Sequence, residues 1–260
     1  MPAVPVTRLP FTLTETSVLA VIPARYHSTR FPGKVLVDIA GRTMLEHVYR
    51  RASAARSVDA VLVATDDHRV VDAVDSFGGV CCLTSSDHAT GTDRLAEVAA
   101  QLTCDLLVCV QGDEPLLDPA VIDAAVAPLK SNRMIEIGTA ARKLTDAGDL
   151  SNPNVVKVVC DRDGFALYFS RAPIPHGREA PAMADASVHV GLYVYRRETL
   201  LRLARLTPGP LERAELLEQL RALEHGIRIK VAETTYDSFG VDTPSDLDRI
   251  RQRMLASVPE

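Results

Sequence analysis

The 260-residue sequence predicts an α/β protein, an open, doubly wound, mostly parallel sheet with an antiparallel insertion. Short apolar runs alternate with helical stretches through the first half, the pattern of repeated right-handed β-α units. The second half changes character: Asp161-Arg162-Asp163-Gly164 joins two strand-like runs as a hairpin turn. A long basic loop also follows the first apolar run directly, at the kind of strand end where open α/β sheets hold ligands.

Residues 18–22 (Val-Leu-Ala-Val-Ile) have the length and branching of a strand buried on both faces. Residues 1–17, Pro/Thr-rich with a single Arg, read as a mobile extension before one domain over 18–260. A helical pattern begins at 43–48. Strands are expected at 60–64, 80–83 and 106–110, with helices at 67–77 and 93–102 between them. Asp118-Pro119 supplies an N-cap and a first-turn proline for a helix to about residue 130. Strands follow at 135–141, 155–160, 165–169 and 188–195. The stretch 172–186, rich in Pro, Gly and Ala, reads as an exposed loop. One helix is expected over 212–224, a strand at 227–231 and a last helix at 244–254. The antiparallel insertion thus occupies about 150–225.

Composition narrows the function. A net charge of −5 argues against a nucleic-acid-wide basic face. No apolar stretch approaches the roughly 20 residues that span a bilayer. The cysteines (Cys81, Cys82, Cys104, Cys109, Cys160) include no C-x-x-C pair and several sit in strand-like runs. They read as small buried hydrophobes in a reducing compartment, so a cytoplasmic protein is expected.

The loop 23–34 carries Arg25, Arg30 and Lys34, the hydroxyls of Ser28 and Thr29, and no acid. Three cations on a Gly/Pro-shaped loop suit an anion with several oxygens, such as a triphosphate; a solvated basic loop is the plain alternative. A Walker loop would need Gly at position 28 and Ser or Thr at 35, where Ser28 and Val35 stand. A dinucleotide fingerprint would need three glycines where the loop has one.

Asp113 stands in Gln111-Gly112-Asp113-Glu114-Pro115 at a strand end, placed either to hold Mg²⁺ against phosphate oxygens or to close its own turn. In Gly240-Val241-Asp242-Thr243-Pro244-Ser245-Asp246, Thr243 is the natural N-cap, Pro244 the first helical residue and Asp246 the capping-box acid. Asp242 is left without a local structural task and is a second candidate metal ligand. Thr90-Gly91-Thr92-Asp93-Arg94 opens a helix and either reads a base or ribose or caps that helix through Thr92 or Asp93.

These stretches occur in order with Ala-Thr-Asp-Asp, Ala-Leu-Tyr-Phe-Ser-Arg, His-x-Gly-x-Tyr and Leu-Glu-Gln-Leu-Arg. Together they resemble the 3-deoxy-manno-octulosonate cytidylyltransferases, or CMP-Kdo synthetases, over about residues 18–247. The resemblance implies a nucleotidyltransferase-like fold. It implies transfer of CMP from CTP to the anomeric hydroxyl of Kdo, with Mg²⁺ as cofactor and pyrophosphate released, for lipopolysaccharide precursor synthesis. It also implies a homodimer and an insertion serving sugar binding and dimerisation. By position, Arg25, Ser28 and Lys34 would hold the triphosphate. Gln111, with the Thr90–Arg94 turn (Thr90, Gly91 and Arg94), would contact the nucleotide, and Asp113 and Asp242 would hold Mg²⁺. Arg171, His189, Tyr193, Glu218 and Gln219 would face the sugar acid.

From the residues alone, Arg171 at a strand end suits a carboxylate. His189 also reads as a packed strand residue, and Glu218 as a solvated acid pairing with Arg221. The short segment after Pro175, with His176-Gly177-Arg178, departs from the family pattern of an aromatic-acidic stretch and a longer loop. The alternatives are the same chemistry on a related 2-keto sugar acid (amino-Kdo or a sialic acid), or a non-catalytic nucleotide-binding protein.

Overall fold

The computed structural model describes residues 9–27, 31–179 and 186–256. The expectations for residues 1–8, for Ser28 and Arg30, and for 180–185 in the exposed loop lie outside them. The chain divides into two compact units, 1–123 with 238–260, and 124–237.

In the first unit, β1 (Val18–Ala24) is buried along almost its whole length, as its unbroken apolar sequence requires. A 3₁₀ turn (Lys34–Leu36) and the small hairpin of β2 (Asp38–Ile39) and β3 (Arg42–Thr43) lead into α1 (Met44–Ser53). Thr43 caps α1 by accepting from the Glu46 amide at 3.1 Å. Then come β4 (Ala60–Thr65), α2 (His68–Ser76), β5 (Cys81–Leu83), α3 (Gly91–Ala100) and β6 (Leu106–Cys109). Asp67 caps α2, and Asp118 opens α4 (Pro119–Ser131) by accepting from the Ala120 amide. The strand order is β6-β1-β4-β5, all parallel. The chain moves outward from β1 through β4 to β5, then returns to the other side of β1 as β6. The order therefore reverses between β1 and β6, and the loops leaving their carboxyl ends diverge into a crevice.

The expected cap of α3 moves by two residues. The N-cap is Thr90, and Asp93 is the reciprocal acid of a capping box: Asp93 N donates to Thr90 Oγ1 at 3.1 Å and Thr90 N to Asp93 Oδ2 at 3.0 Å. Gly91 is consequently the first helical residue. Thr92, placed inside the first turn, cannot cap.

In the second unit, β7 (Ile137–Lys143) precedes the short α5 (Ala147–Ser151), and β8 (Lys157–Cys160) and β9 (Ala166–Ser170) form the expected hairpin. Gly164 closes its turn at φ 72°, where a side chain would be strained. β10 (Ser187–Arg196) runs antiparallel to β7 and β8, and α6 (Arg197–Leu203), a helix not expected from the sequence, follows it. The helix expected over 212–224 is two helices, α7 (Pro210–Glu215) and α8 (Gln219–Glu224). The break is at Leu216, which adopts φ 52°, ψ 46° while its side chain stays exposed. Arg171 explains it: its guanidinium donates to the main-chain carbonyls of Glu215 (2.8 Å) and Leu216 (3.5 Å), drawing off carbonyls that a continuous helix would use. β11 (Ile229–Glu233) lies parallel to β7.

The last helix, α9 (Pro244–Ala256), belongs to the first unit and carries the predicted capping box. Thr243 N donates to Asp246 Oδ2 at 2.9 Å and Asp246 N to Thr243 Oγ1 at 3.3 Å. Four cysteines are buried and Cys160 is exposed. Among the described residues, no helix is long and apolar enough to cross a membrane.

Candidate active site

The crevice beside β1 is a cleft of about 310 Å³ lined by Arg25, His27, Lys34, Gly91, Gln111, Asp113 and Asp242. Four separate stretches deliver these groups, Gly91 coming from the start of α3. The loop after β1 brings Arg25 and Lys34. It is folded back by a hydrogen bond from Gly33 N to Tyr26 O at 2.8 Å, with Gly33 at φ 70°. The Tyr26 ring is in turn covered by the Arg69 guanidinium at 3.4 Å. The turn after β6 brings Gln111 and Asp113. Gly112 lies so close to β1 that a Cβ there would meet the Pro23 carbonyl at 3.2 Å, so this turn can hug the strand only because the residue has no side chain. The stretch before α9 brings Asp242, anchored by Val241 N donating to Asp113 O at 2.9 Å.

Lys34 is the centre of the site. Its ammonium donates to Asp113 Oδ2 at 2.7 Å, to Asp242 Oδ1 at 3.0 Å and to Val241 O at 3.0 Å. Burial, the largest influence, pushes its pKa down; the Asp113 and Asp242 carboxylates overcome that and raise it above the ordinary lysine value. Lys34 is therefore a fixed cation near neutral pH. As a donor set, two hard carboxylates close to a phosphate-sized cleft fit Mg²⁺, which takes one or two protein carboxylates and completes its shell with phosphate and water. No group of three or more His, Cys, Asp or Glu side chains suited to a metal occurs among the described residues. The fit therefore depends on substrate oxygens.

Two nucleotide candidates sit differently. Thr90 caps α3 rather than lining the cleft. Arg94 is fully buried, donating to Thr84 Oγ1 and lying 3.4 Å from Asp66 Oδ2. Burial lowers its pKa, and its side chain ties α3 to Thr84 after β5. His27 also lines the cleft; it stands inside the basic loop, but the Arg and Lys pattern that marks the loop does not single it out.

In the second unit, Arg171 holds Pro153 O at 2.9 Å besides the Glu215 and Leu216 carbonyls, so its fork clasps two main-chain segments. Glu215 accepts from Ser170 Oγ at 2.6 Å and Arg171 N at 2.9 Å. Burial opposes the Glu215 carboxylate, but these hydrogen bonds outweigh it and hold its pKa below the usual range. Beneath them Lys157, wholly buried, donates to the carbonyls of Asn152, Val155 and Arg171 at 2.6–2.9 Å.

His189 lies between Phe169 and Tyr193, with ring centroids 5.1 and 5.2 Å away. Its Nε2 is 2.9 Å from Thr139 Oγ1, and that hydroxyl donates its single proton to Leu192 O at 2.6 Å, so Nε2 must carry the hydrogen. Desolvation pushes His189 down to about 3, and the imidazole is neutral. The register of β10 shifts between Val190 and Tyr193, and Thr139 fills that bulge. Glu218 stands at the start of α8, 3.7 Å from Arg221, with Gln219 as the first helical residue. Arg221 itself is held by Glu212 at 2.6 and 2.8 Å.

Known proteins resemble this chain in sequence and in fold. The Cytidylyltransferase family model matches residues 19–229. A 3-deoxy-manno-octulosonate cytidylyltransferase of Geobacter metallireducens is 54% identical over 247 residues, 91% of this chain and 97% of that protein. Another, of Syntrophotalea carbinolica, is 55% identical over 246 residues, 92% of this chain and 98% of that protein. The solved structure of a CMP:2-keto-3-deoxy-manno-octonic acid synthetase complexed with CTP superposes with a TM-score of 0.89 at 41% identity, over 94% of this chain and all of that one. The chain is a nucleotidyltransferase and belongs to the cytidylyltransferase family.

Proposed function

We propose that this protein transfers CMP from CTP to the anomeric hydroxyl of 3-deoxy-manno-octulosonate (Kdo), releasing pyrophosphate. The observation that carries the reading is the convergence of Lys34, Asp113 and Asp242 in one cleft, in a chain more than half identical to Kdo cytidylyltransferases. The reaction is an in-line displacement at the α-phosphorus, where positioning and charge neutralisation supply most of the catalysis. Arg25 and Lys34 hold the triphosphate and stabilise charge on the departing pyrophosphate. Asp113 and Asp242 are the residues that would hold Mg²⁺, which when bound polarises the α-phosphate and orients the attacking hydroxyl.

Lys34 shares its three donors between two carboxylates and a carbonyl, all of which phosphate oxygens can replace as partners. Its ammonium also holds the two aspartates close together. No general base is required of the chain. Arg171, His189, Tyr193, Glu218 and Gln219 serve the sugar acid in this reading, with the neutral His189 holding its ring in a fixed tautomer. A cytoplasmic homodimer belongs to the same proposal, and light scattering of the purified protein tests the second part of it.

The deciding experiment is pyrophosphate release with CTP and a panel of 2-keto sugar acids. Turnover with Kdo in preference to amino-Kdo and sialic acid is expected. Preference for another acid would move the assignment within the family, and CTP binding without turnover on any acid would replace it with a non-catalytic nucleotide-binding role.

A further inference from the structure

The loop between β5 and α3 contains a pair that the reaction chemistry does not use. His88 Nε2 and Glu97 Oε2 are in close contact, and Glu97 Oε2 also accepts from Ser85 N at 2.9 Å. The loop is fixed at both ends, by Thr84 N donating to Thr65 O at 2.8 Å and by the Thr90–Asp93 capping box. Among the described residues, Glu97 is the α3 side chain that holds its middle, at Ser85 and His88. On its other side, the main-chain carbonyl of His88 accepts from Arg25 Nη2 at 2.5 Å. Arg25 is a cleft residue, and this carbonyl, 63 residues away, is what its guanidinium leans on.

We infer that His88 and Glu97 are positioning residues that set the direction of the Arg25 guanidinium, and through it the grip on the triphosphate. The inference rests on the reading of Arg25 as a triphosphate ligand. A carbonyl can orient a guanidinium without competing for its charge. One of the five N–H donors is engaged and the cation is otherwise left for an anion. Glu97 makes the carbonyl a fixed point, because it holds both the His88 ring and the Ser85 amide from one helix. Arginine has four rotatable side-chain bonds, so a fixed acceptor at its tip removes freedom that triphosphate binding would otherwise have to restrict.

Titration calorimetry of CTP and of CMP, on wild type and on His88→Ala, Glu97→Gln and His88→Gln, tests this. CMP lacks the β- and γ-phosphates and separates a triphosphate effect from a nucleoside effect. His88→Ala and Glu97→Gln should each weaken CTP by about five- to thirtyfold and change CMP by less than about twofold, with His88→Gln recovering part of the loss. In an Arg25→Ala background, His88→Ala should add nothing to the loss of CTP affinity. Equal weakening of CTP and CMP, unchanged CTP binding, or additive losses with Arg25→Ala would each overturn the inference. Glu97→Gln decides the matter if His88→Ala does not fold. A wild-type protein that binds CTP no better than CMP would instead remove the triphosphate reading itself.

Discussion

Lys34 Nζ lies 2.7 Å from Asp113 Oδ2, although 79 residues separate them in the chain. The contact joins the loop after β1 to the turn after β6 at the point where the strand order reverses. Asp242 completes it from a third stretch, 208 residues from Lys34. One ammonium thus holds together three of the four segments that line the cleft.

Lys34→Ala is expected to weaken CTP binding and turnover by more than about tenfold, as for a charge-assisted contact in a partly desolvated site. It should also lower thermal stability, because Asp113 and Asp242 lose their shared counter-charge. Lys34→Arg should restore part of the stability but little of the activity, since a planar fork does not replace a compact three-donor ammonium. Melting temperature and steady-state rates measured together check both parts; full activity in Lys34→Ala would refute the assignment.

Asp242→Asn should fold with near wild-type stability. The capping box belongs to Thr243 and Asp246, and the Asp242 side chain is about half exposed. Turnover should nevertheless fall by about a hundredfold or more, as when an electrostatic element of a transition state is removed. A folded variant with unchanged rate and unchanged Mg²⁺ dependence would make Asp242 a turn residue only.

Arg171→Ala tests two roles at once. Loss of hydrogen bonds to the carbonyls of Pro153, Glu215 and Leu216 should cost about 1–2 kcal/mol of stability. If the residue also meets the sugar carboxylate, the Michaelis constant for Kdo should rise more than about tenfold while CTP affinity stays nearly unchanged. A stability loss with no change in that constant would leave Arg171 as a clasp of the α7–α8 hinge and nothing more.

Leu216→Gly addresses the same hinge. A leucine at φ 52° carries about 1–2 kcal/mol of backbone strain, and glycine relieves it at an entropic cost of about 0.4–1 kcal/mol. With the Leu216 side chain 78% exposed, little packing is lost. The variant should therefore be neutral or more stable by up to about 1 kcal/mol in urea unfolding. A clear destabilisation would mean that the leucine side chain has a partner of its own.

His189 gives a pH dependence with a definite sign. Burial pushes its pKa from the ordinary histidine value of 6.5 down to about 3, so between those values the unfolded chain binds a proton that the folded chain does not. Stability should accordingly fall as pH drops from about 6.5 towards 3. His189→Gln, which keeps a donor for Thr139, should flatten that limb of a stability–pH curve; an unchanged slope would place the titration elsewhere.

Local chemistry made much of this molecule legible in its sequence. The uninterrupted apolar run of β1, the Asp118-Pro119 helix start, the Asp161–Gly164 turn and the Thr243–Asp246 capping box each depend on residues within a few positions of one another, and each is present. Much of the composition of the cleft was legible too: Arg25 and Lys34 share a loop without acids, Asp113 stands at a strand end, and Asp242 has no part in the capping box beside it. Only the tertiary structure decided what those groups touch. That Lys34 bridges both aspartates, that Arg94 is fully buried against Thr84 and Asp66, and that the His88 carbonyl meets Arg25 are consequences of strand order and layer packing. The helix expected over 212–224 shows the limit most directly. Its residues favour a continuous helix, but Arg171, more than forty positions earlier, binds the carbonyls of Glu215 and Leu216. Hydrogen bonds from a remote side chain outweighed a local preference worth only tenths of a kcal/mol per residue.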